Sequence, residues 1–172
     1  MMIVPVANAG TSLITSVENS ADQKHKIVHA SYVIERTSTC VWKSLNTPEQ
    51  FPQFIPRLSK AKHLDTQDGK EKFFVIIDPP FPFKEIINVL SVTFIPEKNE
   101  IFWEMLEGNI AKNDGHVTLI DMGTSAKLSV KMLLDLGGSW PKSLTAWGVK
   151  YYLPKVLRSI EKRVLDSSCA GS

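Results

Sequence analysis

Cysteine is rare in this chain, since only Cys40 and Cys169 occur among its 172 residues. Two cysteines cannot build a disulfide framework, and neither has the Cys or His neighbours that zinc-binding spacings require. We therefore expect both cysteines to be structurally minor, and we expect no metal and no cofactor.

The chain also has no large excess of positive over negative charge, or of negative over positive. The formal net charge is +2 and the isoelectric point is near 8.5, which is too balanced for the global field of a dedicated nucleic-acid binder. No apolar run approaches the ~18 residues of a membrane span. Apolar residues make up 43% of the chain and charged residues 22%, as in ordinary globular proteins. We therefore predict one soluble domain over residues 12–166 that does not bind nucleic acid, followed by a flexible tail over 167–172.

The N-terminal segment, residues 1–11, has a short apolar run followed by Ala-Asn-Ala. This resembles the cleavage site of a secretory signal, but the segment has no positively charged start. It is either a flexible terminus or the remnant of a signal. We favour the cytoplasm over export and leave the compartment open.

The usual constellations of catalysis are absent. The four histidines are scattered over several predicted elements without the close spacing of metal or catalytic pairs. Gly137-Gly138 lacks the lysine and the preceding strand of a phosphate-binding loop. We therefore predict no catalytic residue, and oligomeric state stays open.

Short strands separated by turns occupy most of the sequence before residue 135. Residues 12–18 and 27–35 are rich in Ile, Val, Thr and Tyr and predict a β-hairpin. Asp68-Gly69 and Asn113-Asp114-Gly115 are turn signals of the kind that separates strands. The same reasoning predicts six further strands, over 57–66, 70–78, 84–95, 99–107, 114–122 and 125–134. Their short connections indicate an antiparallel meander.

Two short helices interrupt the strands. Thr37 or Ser38 can cap a helix that ends near Leu45, and Thr47-Pro48 starts a second short turn. The stretch FPQFIPRLSKAKHL (51–64) follows, and its two prolines fix φ and hold the neighbouring apolar side chains as a stiff corner.

A long amphipathic helix is predicted at the C-terminus. Ser139 can serve as its N-cap with Pro141 in the first turn, and its apolar residues recur at three- and four-residue spacing up to Val164. Pro154 interrupts this pattern, so we expect a kink or short break near 152–154.

The order of elements predicts an α+β helix-grip fold: a curved antiparallel sheet of seven or eight strands, two short helices, and one long C-terminal helix across the apolar face of the sheet. Residues 30–64, with VW..L followed by FP.F.P, resemble the START-like, polyketide cyclase and lipid-transport superfamily, which includes coenzyme Q-binding START proteins. Segments 81–87, 113–119 and 140–164 support the likeness, which spans about residues 27–165.

The resemblance implies a cavity between the sheet and the long helix, with the proline-rich corner closing one end. Aromatic, thioether and polar side chains are available to line it. We predict that the ligand-binding residues are Phe54, Phe74, Ile76, Asn88, Trp103, Met105, His116, Trp147 and Tyr151. Asn88 and His116 are the candidate polar anchors, since an apolar pocket uses a few polar groups to orient its ligand.

The leading hypothesis is therefore a non-catalytic binding or carrier domain for a lipid, an isoprenoid quinone or a polyketide. One alternative is a polyketide cyclase, aromatase or dehydratase, for which His116, Tyr151 or Tyr152, and Glu104 or Glu107 are the acid-base candidates. Another is a ribosome-associating or protein-interaction module. The C-terminal helix is rich in Lys and Arg, so its outer face could also contact anionic membrane surfaces.

Overall fold

The computed structural model describes residues 4–6, 13–21 and 25–169. The predicted N-terminal segment and C-terminal tail therefore fall partly outside the described residues. Within those residues the strands form one antiparallel sheet with the order β1-β2-β3-β9-β8-β7-β6-β5-β4. The strands are β1 (Val4–Val6), β2 (Leu13–Asn19), β3 (Lys26–Ile34), β4 (Leu58–Gln67), β5 (Lys70–Ile77), β6 (Ile86–Ile95), β7 (Glu100–Gly108), β8 (Lys112–Asp121) and β9 (Ala126–Asp135).

The helices follow the predicted order along the chain. Helix α1 (Ser38–Leu45) and a 3-10 helix (Pro48–Gln53) lie between β3 and β4, and the C-terminal helix consists of α2 (Lys142–Trp147), a π-helical segment (Gly148–Tyr152) and α3 (Leu153–Asp166). The α+β helix-grip fold is thus confirmed. The described sheet has nine strands, because Val4–Val6 adds an edge strand to the predicted set.

The core lies between the sheet and the helices. Alternate residues of β3, such as Val28 and Ile34, are buried on one face, as expected of a strand with one covered side. Of these two, Ile34 packs in one cluster with Val41 of α1 and with Leu157 and Val164 of α3. The long helix is therefore held directly against the sheet.

The turn predicted at Asn113-Asp114-Gly115 is wrong, because all three residues lie inside β8. Gly115 pairs with Trp103 of β7, and a Cβ atom on Gly115 would lie 2.0 Å from a carbon of the Trp103 ring. The glycine is therefore needed for close packing within a strand. The chain turns instead at residues 109–111, where the Asn109 side chain accepts from the Ile87 N–H and donates to the Glu85 carbonyl.

The C-terminal helix begins later than predicted. Pro141 is extended, with φ −68° and ψ 139°, and the first helical residue is Lys142, without a side-chain cap. Ser139 therefore does not cap the helix. No break occurs at 152–154, where Tyr152 and Leu153 keep helical angles; the irregularity is the π-helical segment Gly148–Tyr152, which ends directly before the turn that contains Pro154. Proline cannot donate a backbone hydrogen bond to the preceding turn, and the irregular segment accommodates that loss.

The expectation that both cysteines are structurally minor is wrong. Cys40 of α1 and Cys169, beyond the end of α3, form a disulfide with their Cα atoms 5.8 Å apart. The two residues are 129 positions apart in the chain, so no local spacing could indicate the pair.

Candidate functional site

An apolar cavity of about 350 Å³ lies between the sheet and the C-terminal helix. Because side chains alternate across a strand, each strand contributes every second residue. The cavity-lining residues of the sheet include Phe73, Val75 and Ile77 of β5, Ile86, Asn88, Leu90, Val92 and Phe94 of β6, Ile101 and Trp103 of β7, and Leu128, Val130, Met132 and Leu134 of β9. The volume lies within the ~300–1,000 Å³ range of small-molecule pockets.

The C-terminal helix forms the opposite wall. Its lining residues include Leu144, Trp147, Val149, Tyr152, Val156, Leu157 and Ile160. The rings of Trp147 and Tyr152 stack with their centroids 5.2 Å apart and their planes at 15°. Residues five apart in a regular α-helix point roughly 140° away from each other, so the wider turn of the π-helical segment is what brings these two rings together.

The proline-rich corner borders the cavity. Phe51 and Ile55 line it, while Phe54 packs its ring edge-on against Phe51 with centroids 5.7 Å apart. The guanidinium of Arg163 lies 5.6 Å from the centre of the Phe54 ring. The corner is therefore attached to α3 at the same end of the sheet.

The cavity wall is almost free of polar groups. No Asp, Glu, Lys, Arg or His side chain lines it among the described residues. Asn113 lines it, but its Oδ1 accepts a hydrogen bond from Trp103 Nε1 at 3.1 Å. Asn88 is fully buried, with 0% of its surface exposed, and neither its Nδ2 nor its Oδ1 has a hydrogen-bond partner.

Tyr152 carries the perturbed hydroxyl of the site. Burial raises the pKa of this phenol, the carboxylate of Asp78 raises it further, and the nearby Arg57 partly offsets the rise. The hydroxyl therefore stays protonated at neutral pH and can donate a hydrogen bond, but it is a poor base.

Three of the predicted ligand-binding residues lie together on the cavity wall: Asn88, Trp103 and Trp147. Phe74 and Ile76 occupy the alternate positions of β5, off the wall formed by Phe73, Val75 and Ile77. The segment KFFVII is apolar on both faces, so its pattern could not tell which face is inside.

The remaining predicted residues lie off the wall. Phe54 packs behind the corner against the core, and Met105 joins a second cluster with Ile86 and Leu144. Tyr151 has 53% of its surface exposed, and its neighbour Tyr152 takes the place on the wall. The ligand-binding role of each residue stays a prediction.

His116 lies in a separate cleft on the other side of the sheet. Its ring stacks on Phe102 with centroids 4.0 Å apart, and its Nε2 lies 3.6 Å from a carboxylate oxygen of Glu100. The adjacent Val117 lines the cavity. The strand alternation therefore turns His116 away from the apolar site.

Two kinds of feature are absent from the described ranges. No group of three or more His, Cys, Asp or Glu side chains could hold a metal ion there. No helix in that part of the chain is long and apolar enough to span a bilayer.

No family model matches the sequence. No curated protein matches it either. Solved structures do match in fold. The STAR-related lipid transfer protein from Xanthomonas axonopodis has a TM-score of 0.76 at 17% identity, with 95% of this chain and 99% of that chain covered. The Zhui aromatase/cyclase from Streptomyces sp. R1128 has a TM-score of 0.74 at 11% identity, with coverages of 86% and 99%.

A START superfamily protein from Mycobacterium smegmatis has a TM-score of 0.69 at 17% identity, with 82% of this chain and 97% of that chain covered. These likenesses show that the chain has the START-like, polyketide cyclase fold.

Proposed function

We propose that this protein binds and carries a small hydrophobic ligand, such as a lipid, an isoprenoid quinone or a polyketide-like molecule, in the cavity between the sheet and the C-terminal helix. The observation that carries the proposal is the cavity of about 350 Å³ with an almost wholly apolar wall. A ligand that buries ~400 Å² of apolar surface gains roughly 10 kcal/mol, against an association cost of ~4–15 kcal/mol. Micromolar affinity is physically reasonable on these terms.

Carriage is favoured over catalysis by the placement of the acid-base candidates. Of His116, Tyr151, Tyr152, Glu104 and Glu107, only Tyr152 borders the cavity. A cyclase needs groups that both remove and deliver protons at its substrate, and the raised pKa of Tyr152 limits this hydroxyl to donation. Turnover of a test polyketide that is lost in Tyr152→Phe would favour the enzyme instead.

The experiment that tests carriage uses two matched variants on β5. Val75 lines the cavity and Ile76 is its neighbour on the other face of the strand. Val75→Trp should fill the cavity, and Ile76→Trp should leave it open. Binding of the neutral fluorescent probe N-phenyl-1-naphthylamine, together with native mass spectrometry after lipid extraction, gives the readout.

We expect the wild type and Ile76→Trp to bind the probe, and we expect Val75→Trp to bind it at least roughly tenfold more weakly while keeping its circular dichroism spectrum. Equal binding by the two variants, or a wild type that never carries or accepts an apolar molecule, would contradict the proposal.

A peripheral membrane contact is a second proposal, supported by the surface beside the cavity. Lys142, Lys155 and Arg158 of the C-terminal helix are exposed. Phe81, in the loop before β6, has 96% of its surface exposed, and Phe83 of the same loop packs in one cluster with Trp147. An exposed aromatic side chain near a basic helix face suits an anionic lipid surface.

Sedimentation with vesicles tests this contact. Binding to vesicles that contain phosphatidylglycerol, but not to phosphatidylcholine alone, is expected, with a loss in Phe81→Ser and in Lys155→Glu/Arg158→Glu. Cosedimentation that is indifferent to lipid charge and to both variants would count against it.

A further inference from the structure

Asn88 lies in the middle of β6 with its side chain on the wall of the cavity. Its exposed fraction is 0%, and both polar atoms of its amide are without hydrogen-bond partners. Buried polar side chains in folded proteins nearly always have a partner. An amide with two unpaired groups in an apolar cavity therefore requires an explanation.

The sheet holds Asn88 in place. Strand β6 is paired on both edges, so Asn88 lies between Val75 of β5 and Gly108 of β7. Its neighbours on the cavity face of the same strand, Ile86 and Leu90, are apolar. The side chain cannot reach solvent unless the strands separate.

Gly108 leaves the space that the amide occupies. A Cβ atom at this position would lie 3.0 Å from Asn88 Oδ1 and 2.5 Å from the carbonyl oxygen of Ile87. The backbone of β7 can approach the amide this closely because residue 108 has no side chain.

The side-chain amides of two nearby asparagines already make hydrogen bonds within the protein. Asn113 accepts from Trp103, and both polar atoms of the Asn109 side chain bond to the backbone of β6 or the residue before it. The Asn88 amide differs, because neither its donor nor its acceptor has a hydrogen-bond partner although the residue belongs to the cavity lining.

The chemistry of the amide selects its partner. A primary amide presents N–H donors and an acceptor oxygen side by side. A quinone or an ester carbonyl only accepts, so it would leave Asn88 Oδ1 unpaired. A carboxylate would enter a wall in which no described lining residue is cationic, and burial of such an uncompensated charge is unfavourable.

We propose that Asn88 anchors the polar end of a neutral ligand whose donor and acceptor are adjacent, as in a primary carboxamide or an undissociated carboxylic acid attached to an apolar chain. The inference rests on the carrier function proposed above. It narrows that function to ligands that pair with both edges of the amide.

Three compounds with one chain length test the pairing: dodecanamide, dodecanoic acid and methyl dodecanoate. Their affinities are measured by displacement of N-phenyl-1-naphthylamine from the wild type and from Asn88→Leu, which is similar in size. We expect the wild type to bind the amide roughly tenfold more tightly than the ester, because only the amide satisfies both groups. Binding of the acid should strengthen as the pH falls toward its pKa of about 4–5, because only the neutral form is expected to enter.

In Asn88→Leu the preference for the amide over the ester should be lost, so that the amide binds no better than the ester. A second measurement uses the unmutated chain: the side-chain N–H resonances of Asn88 should shift with dodecanamide and much less with methyl dodecanoate. If the wild type binds the amide and the ester equally, or if Asn88→Leu retains the preference, the anchor is disproved and the carrier function stands. If neither the probe nor any dodecanoyl compound binds, both proposals fail.

Discussion

Cys40 and Cys169 are joined by a disulfide that closes a loop over 129 positions of the chain. Among the described residues, all those that line the cavity, from Leu45 to Ile160, lie between these two cysteines. The bond ties α1 to the segment that follows α3. Structural disulfides of this kind persist in oxidising compartments.

Removal of the disulfide should weaken the fold. Because a long loop loses much chain entropy when it is closed, Cys40→Ala/Cys169→Ala should lower the free energy of unfolding by about 2–5 kcal/mol. Urea unfolding of the variant, with wild type in the presence and absence of dithiothreitol, measures the effect. An unchanged midpoint in the variant would show that the cross-link does not restrain the unfolded chain.

In the ligand-free protein, replacement of Asn88 by leucine should not lower the free energy of unfolding, in contrast to removal of the disulfide. The substitution removes a buried amide without partners, whose desolvation costs about 1–3 kcal/mol, so Asn88→Leu should be as stable as the wild type or more stable. Asn109→Ala is the contrast, because it deletes two hydrogen bonds and should cost about 1–2 kcal/mol. Urea melts of both variants check this, and a marked destabilisation of Asn88→Leu would indicate a structural role for the amide.

Two glycines should respond to alanine in opposite directions. In Gly115→Ala the new methyl group would lie 2.0 Å from the Trp103 ring, so we expect a loss of about 1–3 kcal/mol from overpacking. Gly148 has helical angles, and a Cβ there meets nothing within 4 Å, so Gly148→Ala should gain about 0.5–1 kcal/mol. Thermal unfolding of the two variants gives the comparison. If the two variants changed the unfolding temperature equally and in the same direction, the expected clash of a methyl group with Trp103 would be contradicted.

Tyr152 should make stability depend on alkaline pH. Its pKa is raised above the ordinary value of 10.0 in the folded protein, so above pH 10 the unfolded chain loses the phenolic proton while the folded chain keeps it. Stability is therefore fully present below pH 10 and falls as the pH rises toward the folded pKa. Urea unfolding between pH 9 and 11 (approximate limits of the transition) should show a shallower decline in Tyr152→Phe, with Tyr151→Phe as the exposed control. Identical slopes in the two variants would contradict the role of burial.

Most of the architecture could be predicted because turn residues and hydrophobic periods report local structure. Asp68 and Gly69 both adopt positive φ in the hairpin between β4 and β5, as the Asp-Gly signal predicts. Gly115 shows the limit of this reasoning. Its Asn-Asp-Gly sequence predicts a turn, but the glycine lies inside β8, where it allows close packing against Trp103.

The cavity-lining residues were less predictable, because they depend on which face of each strand or helix is turned inward. Asn88 and Trp103 could be proposed as lining residues. Strand β5, however, is apolar on both faces, so its sequence does not indicate whether Phe73 or Phe74 faces inward. At the C-terminal helix, the π-helical segment places Tyr152 and not Tyr151 on the cavity wall. The pairing of Cys40 with Cys169 depends on the tertiary fold, which no sequence spacing reports.

The π-helical segment also makes the C-terminal helix unequally tolerant of changes in length. A π-turn contains about one residue more than an α-turn, so deletion of one residue from Gly148–Tyr152 can restore a regular helix with α3 still facing the sheet, although the Trp147–Tyr152 stack is lost. Insertion of one residue instead rotates α3 by roughly 100° and turns its apolar side from the sheet. We therefore expect the fold to tolerate the loss of one residue from this stretch better than the gain of one.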